Sequence, residues 1–437
     1  MSYQTKKTIK KILILGFPIL LQNLFVCLSM MSDTFIMGTI GSDGLLAIAP
    51  ENTISYVYLL VISGIFNAFA IAIANSYGEN NKEKIIKHIK NMKYVRIVVL
   101  FLSTLLIIFS GQIVALFIKN PVVLPQARIY FSIVVCSYIF MSLCAEIRTI
   151  FYNVQKPKVP SLISTAIIVI NIILGFILVK TIGVYGPAIS VLITRILEYI
   201  CLKIYLIKSE YNIKFNFPKL DKEGKKVFKD SFLYALSDGG WAFSITLLML
   251  ICSFFGEKEL VANQIAVSLT ELGFIFLLTL SSVNTMLLGE AYGEKNFKEA
   301  KNLVKIFLVL CFITGIIGFI IINLEGIVFL NVYIFSSSQA SLIKTVLFIT
   351  AIYIPIRSVN AMLTNCFRAC NRNAVVFIID LGGAYLGVFA LLIAYYLNTN
   401  FYFALIIYYF FAEVSKIIIG LYIMYKTSYV LNEKRNM

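Results

Sequence analysis

Twelve apolar runs, most of them about 18 to 27 residues long, leave this chain few folds to choose from. A helix rises about 1.5 Å per residue, so each run is long enough to cross roughly 30 Å of hydrocarbon. The runs occupy about 12–39, 45–75, 94–118, 129–151, 161–180, 186–207, 232–256, 260–290, 304–324, 341–367, 374–397 and 400–425. None shows the ten-residue alternation of a membrane barrel strand, so the spans are helices. With 59% hydrophobic and only 14% charged residues, the chain is all-α integral membrane, with the lipid bilayer as its solvent. Its start, "MSYQTKKTIKKILILGFPILL", is basic and then apolar, but no small-residue cleavage site follows, and it reads as a retained first span.

The connections alternate in charge. Lys6, Lys7, Lys10 and Lys11 lead, followed by Lys82 to Lys93, Lys156 and Lys158, the stretch Lys208 to Lys229, Lys295 to Lys305, Arg368 and Arg372, and finally Lys426, Lys434 and Arg435. Short basic loops stay cytoplasmic, which places both termini inside and requires an even number of spans. The formal net charge of +16 is therefore topological and leaves no role for nucleic acid.

An internal repeat organises the chain. "GSDGLLAIA" at Gly41 answers "GEKELVANQ" at Gly256, and "SYGENNKEK" around Tyr77 answers "AYGEKNFKEA" around Tyr292, both at a separation of 215 residues. Glu198 and Glu413 stand at the same separation. The expected organisation is an N-terminal lobe of six spans at 1–207, a cytoplasmic linker at 208–231, a C-terminal lobe of six spans at 232–425 and a cytoplasmic tail at 426–437. Duplicated halves around a cleft suit alternating access.

The eight cysteines are scattered through apolar segments, and His88 is the one histidine. Neither a disulfide framework nor a zinc site is expected. No P-loop is present, and His88 lies in the basic stretch "KIIKHIKNMK", away from any candidate nucleophile. The chain does not read as an enzyme and needs no cofactor.

Several ordered motifs carry a resemblance. Pro18 in "GFPILLQ", Asp33 in "SDTFIMGTIGSDGLLAIA" and "SYGENN" resemble the first-lobe signature of the multidrug and toxic compound extrusion (MATE) family. "RTIFYNVQKPKVP", "NIILG" and "GVYGPAIS" resemble its fourth to sixth spans, and "LVANQIA", "AYGEKN" and "NCFRACNRN" the second-lobe counterparts. The resemblance implies a bundle of six plus six helices in the plasma (inner) membrane. It also implies export of organic, cationic or amphipathic drug-like compounds in exchange for protons or sodium ions. Asp33 matches the family's first-span aspartate and Asn171 its fifth-span asparagine. Gly175 stands where many members have an aspartate, Trp241 about where the sodium-coupled branch has a glutamate, and Arg357 where an aspartate follows Tyr353 by four residues. The resemblance thus implies that the second-lobe cation site is missing.

A carboxylate near a helix centre costs about 2.5 to 3.5 kcal/mol, a penalty that a proton or a bound cation removes. Asp33 is therefore the expected ion-coupling group, with Asn171 and Thr194 as neutral partners and a sodium ion at Asp33 as the one metal the pattern admits. The bland alternative is a hydrogen-bonded residue fixing spans one, five and six. Glu198 lies one turn from Arg195, and the two are expected to neutralise each other. Asp238 is expected to pair with Arg357. Met30, Tyr138, Trp241, Phe274 and Tyr353 are candidates for an aromatic, adaptable substrate wall, with Asp238 and Arg357 as its charged members. The expected partners are small molecules, and the chain is expected to be a monomer. A flippase for a lipid-linked anionic precursor, using Arg195 and Arg357, is the rival reading.

Overall fold

The computed structural model describes residues 3–40, 42–118, 121–212, 221–332, 336–370 and 372–427, and among them every regular element is a helix. In the first half these are α1 (Tyr3–Gly38), α2 (Ser42–Gly78), α3 (Lys82–Phe117), α4 (Val123–Asn153), α5 (Lys158–Ile182) and α6 (Tyr185–Ile207). The second half holds α7 (Lys222–Phe255), α8 (Glu257–Gly293), α9 (Phe297–Val332), α10 (Ser337–Ile352), α11 (Ile354–Ala369), α12 (Asn373–Tyr396), α13 (Phe401–Tyr409) and α14 (Ser415–Thr427). A π-turn, Phe410–Val414, joins the last two.

Among the described residues eleven helices are long and apolar enough to cross a membrane. The remaining expected span, α6, is a helix of 23 residues, about 34 Å long, that carries Arg195, Glu198 and Lys203. Helices outrun the apolar stretches at their basic ends. α3 starts at Lys82 because the Asn81 side chain accepts the Lys84 backbone N–H, so the lysine-rich turns continue the helix. α7 likewise begins at Lys222, inside the stretch read as linker. One expected span is split into α10 and α11 at Tyr353, beside Pro355, whose ring removes a backbone donor.

The repeat extends to backbone detail. α2 and α3 have the same limits as α8 and α9 once 215 residues are added. Asn80 and Lys295 take left-handed φ values of 54° and 55° in equivalent turns, and the Asn81 cap recurs where Asn296 accepts the Glu299 N–H.

The helices gather into two compact units, one of Phe17–Ser76 with Asn81–Ala235, the other of Leu236–Met437 with Met1–Gly16 and Tyr77–Asn80. In the former, α4 packs on α3 and α6, and α5 on α6. Gly64 of α2 lets the start of α7 approach closely, since a Cβ there would stand 2.8 Å from the Ala235 Cα. Outside the membrane, Glu210 accepts from Lys156 and Lys82 at 2.8 Å each, which pulls its carboxyl down to about 2. In the latter unit, α8, α9, α10 and α11 pack together, and the first turns of α1 lie on α8, with Lys11 bonded to Glu290 at 2.7 Å.

Candidate functional site

The first unit concentrates polar side chains where α1, α2, α4, α5 and α6 meet. Asn171, buried on α5, donates its amide to Ser29 Oγ of α1 at 3.3 Å. Its Oδ1 receives Ser190 Oγ at 2.8 Å and Thr194 Oγ1 at 3.2 Å from α6. The two expected neutral partners are thus brought together, and they tie three helices one turn from Asp33. Gly175, one turn further along α5, faces Ile36 and Ser190.

Asp33 itself is half-buried, and its charged neighbours are Glu51 of α2 and Arg195 of α6. Glu51 accepts the Ser55 hydroxyl, and Ser55 is 2.6 Å from the Tyr138 hydroxyl. Because Ser55 has one proton and gives it to Glu51, Tyr138 is the donor to Ser55. Tyr138 is only 2% exposed, stacks on Tyr58 with centroids 4.6 Å apart, and so joins a hydrogen-bonded relay instead of forming an open substrate wall. The Tyr58 hydroxyl lies outside that relay, 2.6 Å from Ser103 Oγ and 3.3 Å from the Tyr138 backbone carbonyl.

Arg195 bonds Glu198 at 2.7 Å, as expected from their spacing. Glu198 also binds Arg148 of α4 and Ser164 of α5, and is 1% exposed. Asp33, Glu51 and Glu198 therefore set three carboxylates against the two guanidiniums of Arg148 and Arg195. A neighbouring pair, Arg96 and Glu146, is closed by two bonds of 2.5 and 2.6 Å and balances itself. With every group ionised, the central cluster is one positive charge short.

In the second unit Arg357 lies over two aromatic rings, its guanidinium carbon 5.0 Å from the Trp241 ring centroid and 4.4 Å from that of Phe274. Tyr353, one turn earlier, stacks on Tyr409 at 5.2 Å. Arg357 Nε is 3.6 Å from Glu413 Oε1. The expected Asp238 to Arg357 pair is replaced: Asp238 bonds Arg368 at 2.8 Å, and Arg368 also lies 3.4 Å from Asp380. The physical reason is depth. α7 presents Trp241 to Arg357, and turns Asp238 towards an arginine three helical turns further along α11.

The sequence model of the MatE family matches this chain over residues 18–177 and again over 241–395, more than half of its length. The chain belongs to the MATE family. A curated relative, "Probable multidrug resistance protein YoeA" of Bacillus subtilis (strain 168), is 22% identical over 354 residues, covering 75% of this chain and 72% of that protein. "Probable multidrug resistance protein NorM" of Buchnera aphidicola subsp. Baizongia pistaciae is 23% identical, covering 85% and 86%. Among solved structures, the outward-facing conformation of a multidrug resistance MATE family transporter of the MOP superfamily superposes with a TM-score of 0.85 at 18% identity over 96% of both chains.

As a MATE protein the chain is a multi-pass transporter of the cell membrane and not an enzyme. The double match restates the internal duplication. Of the residues singled out from sequence, the Met30 side chain lies outside the described residues. Glu51 and Arg148 were missed. The signal for Glu51 was its place directly after Pro50 at the head of an apolar run, and Arg148 stood in plain view within "EIRTIFYN".

Proposed function

We propose that this MATE protein is a secondary-active antiporter that exports amphipathic organic small molecules and is driven by one inward cation, a proton or a sodium ion, per cycle. The observation that carries the reading is the charge deficit around Asp33. Two carboxylates, Asp33 and Glu51, lie within electrostatic reach of each other and neither is bonded to a guanidinium, while Arg148 and Arg195 are bound to Glu198. Like charges that interact in a poor dielectric do not both stay bare, so the pair takes up one proton or one metal cation. Glu51 on α2 supplies the second acid that Gly175 lacks on α5. Asn171 and Thr194 orient α1 through Ser29 and set the depth of Asp33. The protein works as a monomer by alternating access, with both termini cytoplasmic, and uptake of the cation biases the conformational equilibrium.

The test is transport of an amphipathic dye in proteoliposomes, first under an imposed proton gradient and then under an imposed sodium gradient. Movement that follows one of them and vanishes in Asp33→Asn names the ion. Undiminished gradient-driven movement in Asp33→Asn overturns the reading.

A further inference from the structure

We propose that Arg357, set over the rings of Trp241 and Phe274, is a binding site for the carboxylate of an amphipathic organic anion. The guanidinium lies over both rings at cation–π distance, contacts that use its π-system and leave its N–H groups to make hydrogen bonds. Glu413 does not use that edge. Its Oε1 stops at 3.6 Å from Nε, beyond hydrogen-bond range, while its Oε2 and its backbone carbonyl both accept from the Asn360 amide at 2.8 Å. Among the described residues the Arg357 guanidinium makes no hydrogen bond, its nearest carboxylate oxygen standing at 3.6 Å.

Other arginines of the spans behave differently. Arg96, Arg148, Arg195 and Arg368 each donate to a carboxylate. Arg357 has been given a carboxylate near enough to offset its charge and too far to take its protons. Unmade hydrogen bonds in a poor dielectric cost free energy, and with 21% of its side chain exposed the group is reachable by a ligand that supplies the acceptors.

The shape of the opening selects the ligand. A guanidinium edge matches the two oxygens of a planar carboxylate through parallel N–H···O bonds. A phosphate dianion would bring twice the charge up to Glu413, 3.6 Å from the same guanidinium, and is disfavoured by that repulsion. Trp241, Phe274 and the stacked Tyr353 and Tyr409 offer an apolar surround for the organic part. The inference names a substrate class for the exporter proposed above and rests on that reading for its meaning in transport. Its test involves no gradient, so the two fail separately.

Trp241 is the chain's single tryptophan, which makes intrinsic fluorescence a reporter placed on the site itself. The purified full chain is titrated with cyclohexanecarboxylate, with its neutral amide and with inorganic phosphate. The expected result is a saturable change in Trp241 emission with the carboxylate, at a midpoint at least tenfold below that of the amide or of phosphate. Arg357→Gln should raise the carboxylate midpoint at least tenfold, and Arg357→Lys, which keeps the charge and loses the fork, should fall between. Equal midpoints for acid and amide, tighter binding of phosphate, or an unchanged midpoint in Arg357→Gln would each overturn the proposal. Should the variants not fold, the contrast between acid and amide on the unaltered protein decides the matter.

Discussion

Removing one carboxylate from the first-unit cluster should uncouple transport without unfolding the protein. With Asp33, Glu51 and Glu198 against Arg148 and Arg195, the group lacks one positive charge, and Asp33→Asn or Glu51→Gln brings the balance to zero. No external cation is then needed. One charge moving across 100 mV is worth about 2.3 kcal/mol, which sustains roughly a 50-fold accumulation of a neutral substrate. The assay is accumulation of a neutral amphipathic dye in proteoliposomes holding a 100 mV potassium diffusion potential, with the permitted ion present. The unaltered protein should approach that ratio, and both single variants should equilibrate the dye without concentrating it. The double variant leaves Glu198 against two guanidiniums, one positive charge in excess, and should likewise fail to concentrate the dye. Melting temperatures should stay close to the parent value, since neither acid is bonded to a guanidinium and Gln at position 51 still accepts from Ser55. Retained accumulation in either single variant would refute the charge argument.

Glu198→Gln should behave in the opposite way and destabilise the fold by about 3 to 5 kcal/mol, because it strands Arg148 and Arg195; thermal unfolding of the detergent-solubilised protein checks this. Gly64→Ala should lower the melting temperature, with an overpacking cost of about 1 to 3 kcal/mol at the α2 to α7 approach, whereas Gly382→Ala, with open space around its Cβ, should be neutral or raise it. Glu210 is held low by Lys156 and Lys82, so its contribution is present above its ordinary range near 4.5 and is lost as the pH falls towards about 2. The melting difference between the unaltered protein and Glu210→Gln should therefore be small, because the group is solvent-screened, should shrink with added salt, and should close below pH 4.5.

The spans and the duplication were legible because both are properties of one stretch of chain at a time. A run of apolar residues announces a helix wherever it folds, and "SYGEN" and "AYGEK" encode the same left-handed turn at Asn80 and Lys295 without reference to anything else. Asp33 was legible as an acid deep in such a run. Partnerships across helices were not. Arg195 and Glu198 share a helical face and could be paired by spacing, but Arg148 reaches Glu198 from α4, and nothing along α4 records that. The same limit explains Asp238: Arg357 and Arg368 lie on one helix, and only packing decides that the latter meets it. Glu51 escaped although it lies inside the apolar run 45–75, because nothing along that run records which helix it meets; α2 brings it within electrostatic reach of Asp33.

The duplication lets the two proposed sites be compared position by position. Glu198 and Glu413 occupy equivalent positions, yet the first sits in a regular helix and is saturated by Arg148, Arg195 and Ser164. The second sits in the π-turn, where the altered ladder leaves its backbone carbonyl to Asn360, and it stands off from Arg357. The scaffold was copied and the charge balance was not. One half is left with a carboxylate too many, the other with a guanidinium whose donors are free. If each takes the ion that completes it, a cation enters and a carboxylate leaves in one cycle, so the membrane potential acts on both. Two charges across 100 mV supply about 4.6 kcal/mol, or roughly a 2,000-fold gradient for an acid against about 50-fold for its neutral amide. Measuring both limits in the same vesicles compares the halves directly: equal ratios would mean that only the first-unit cluster feels the field.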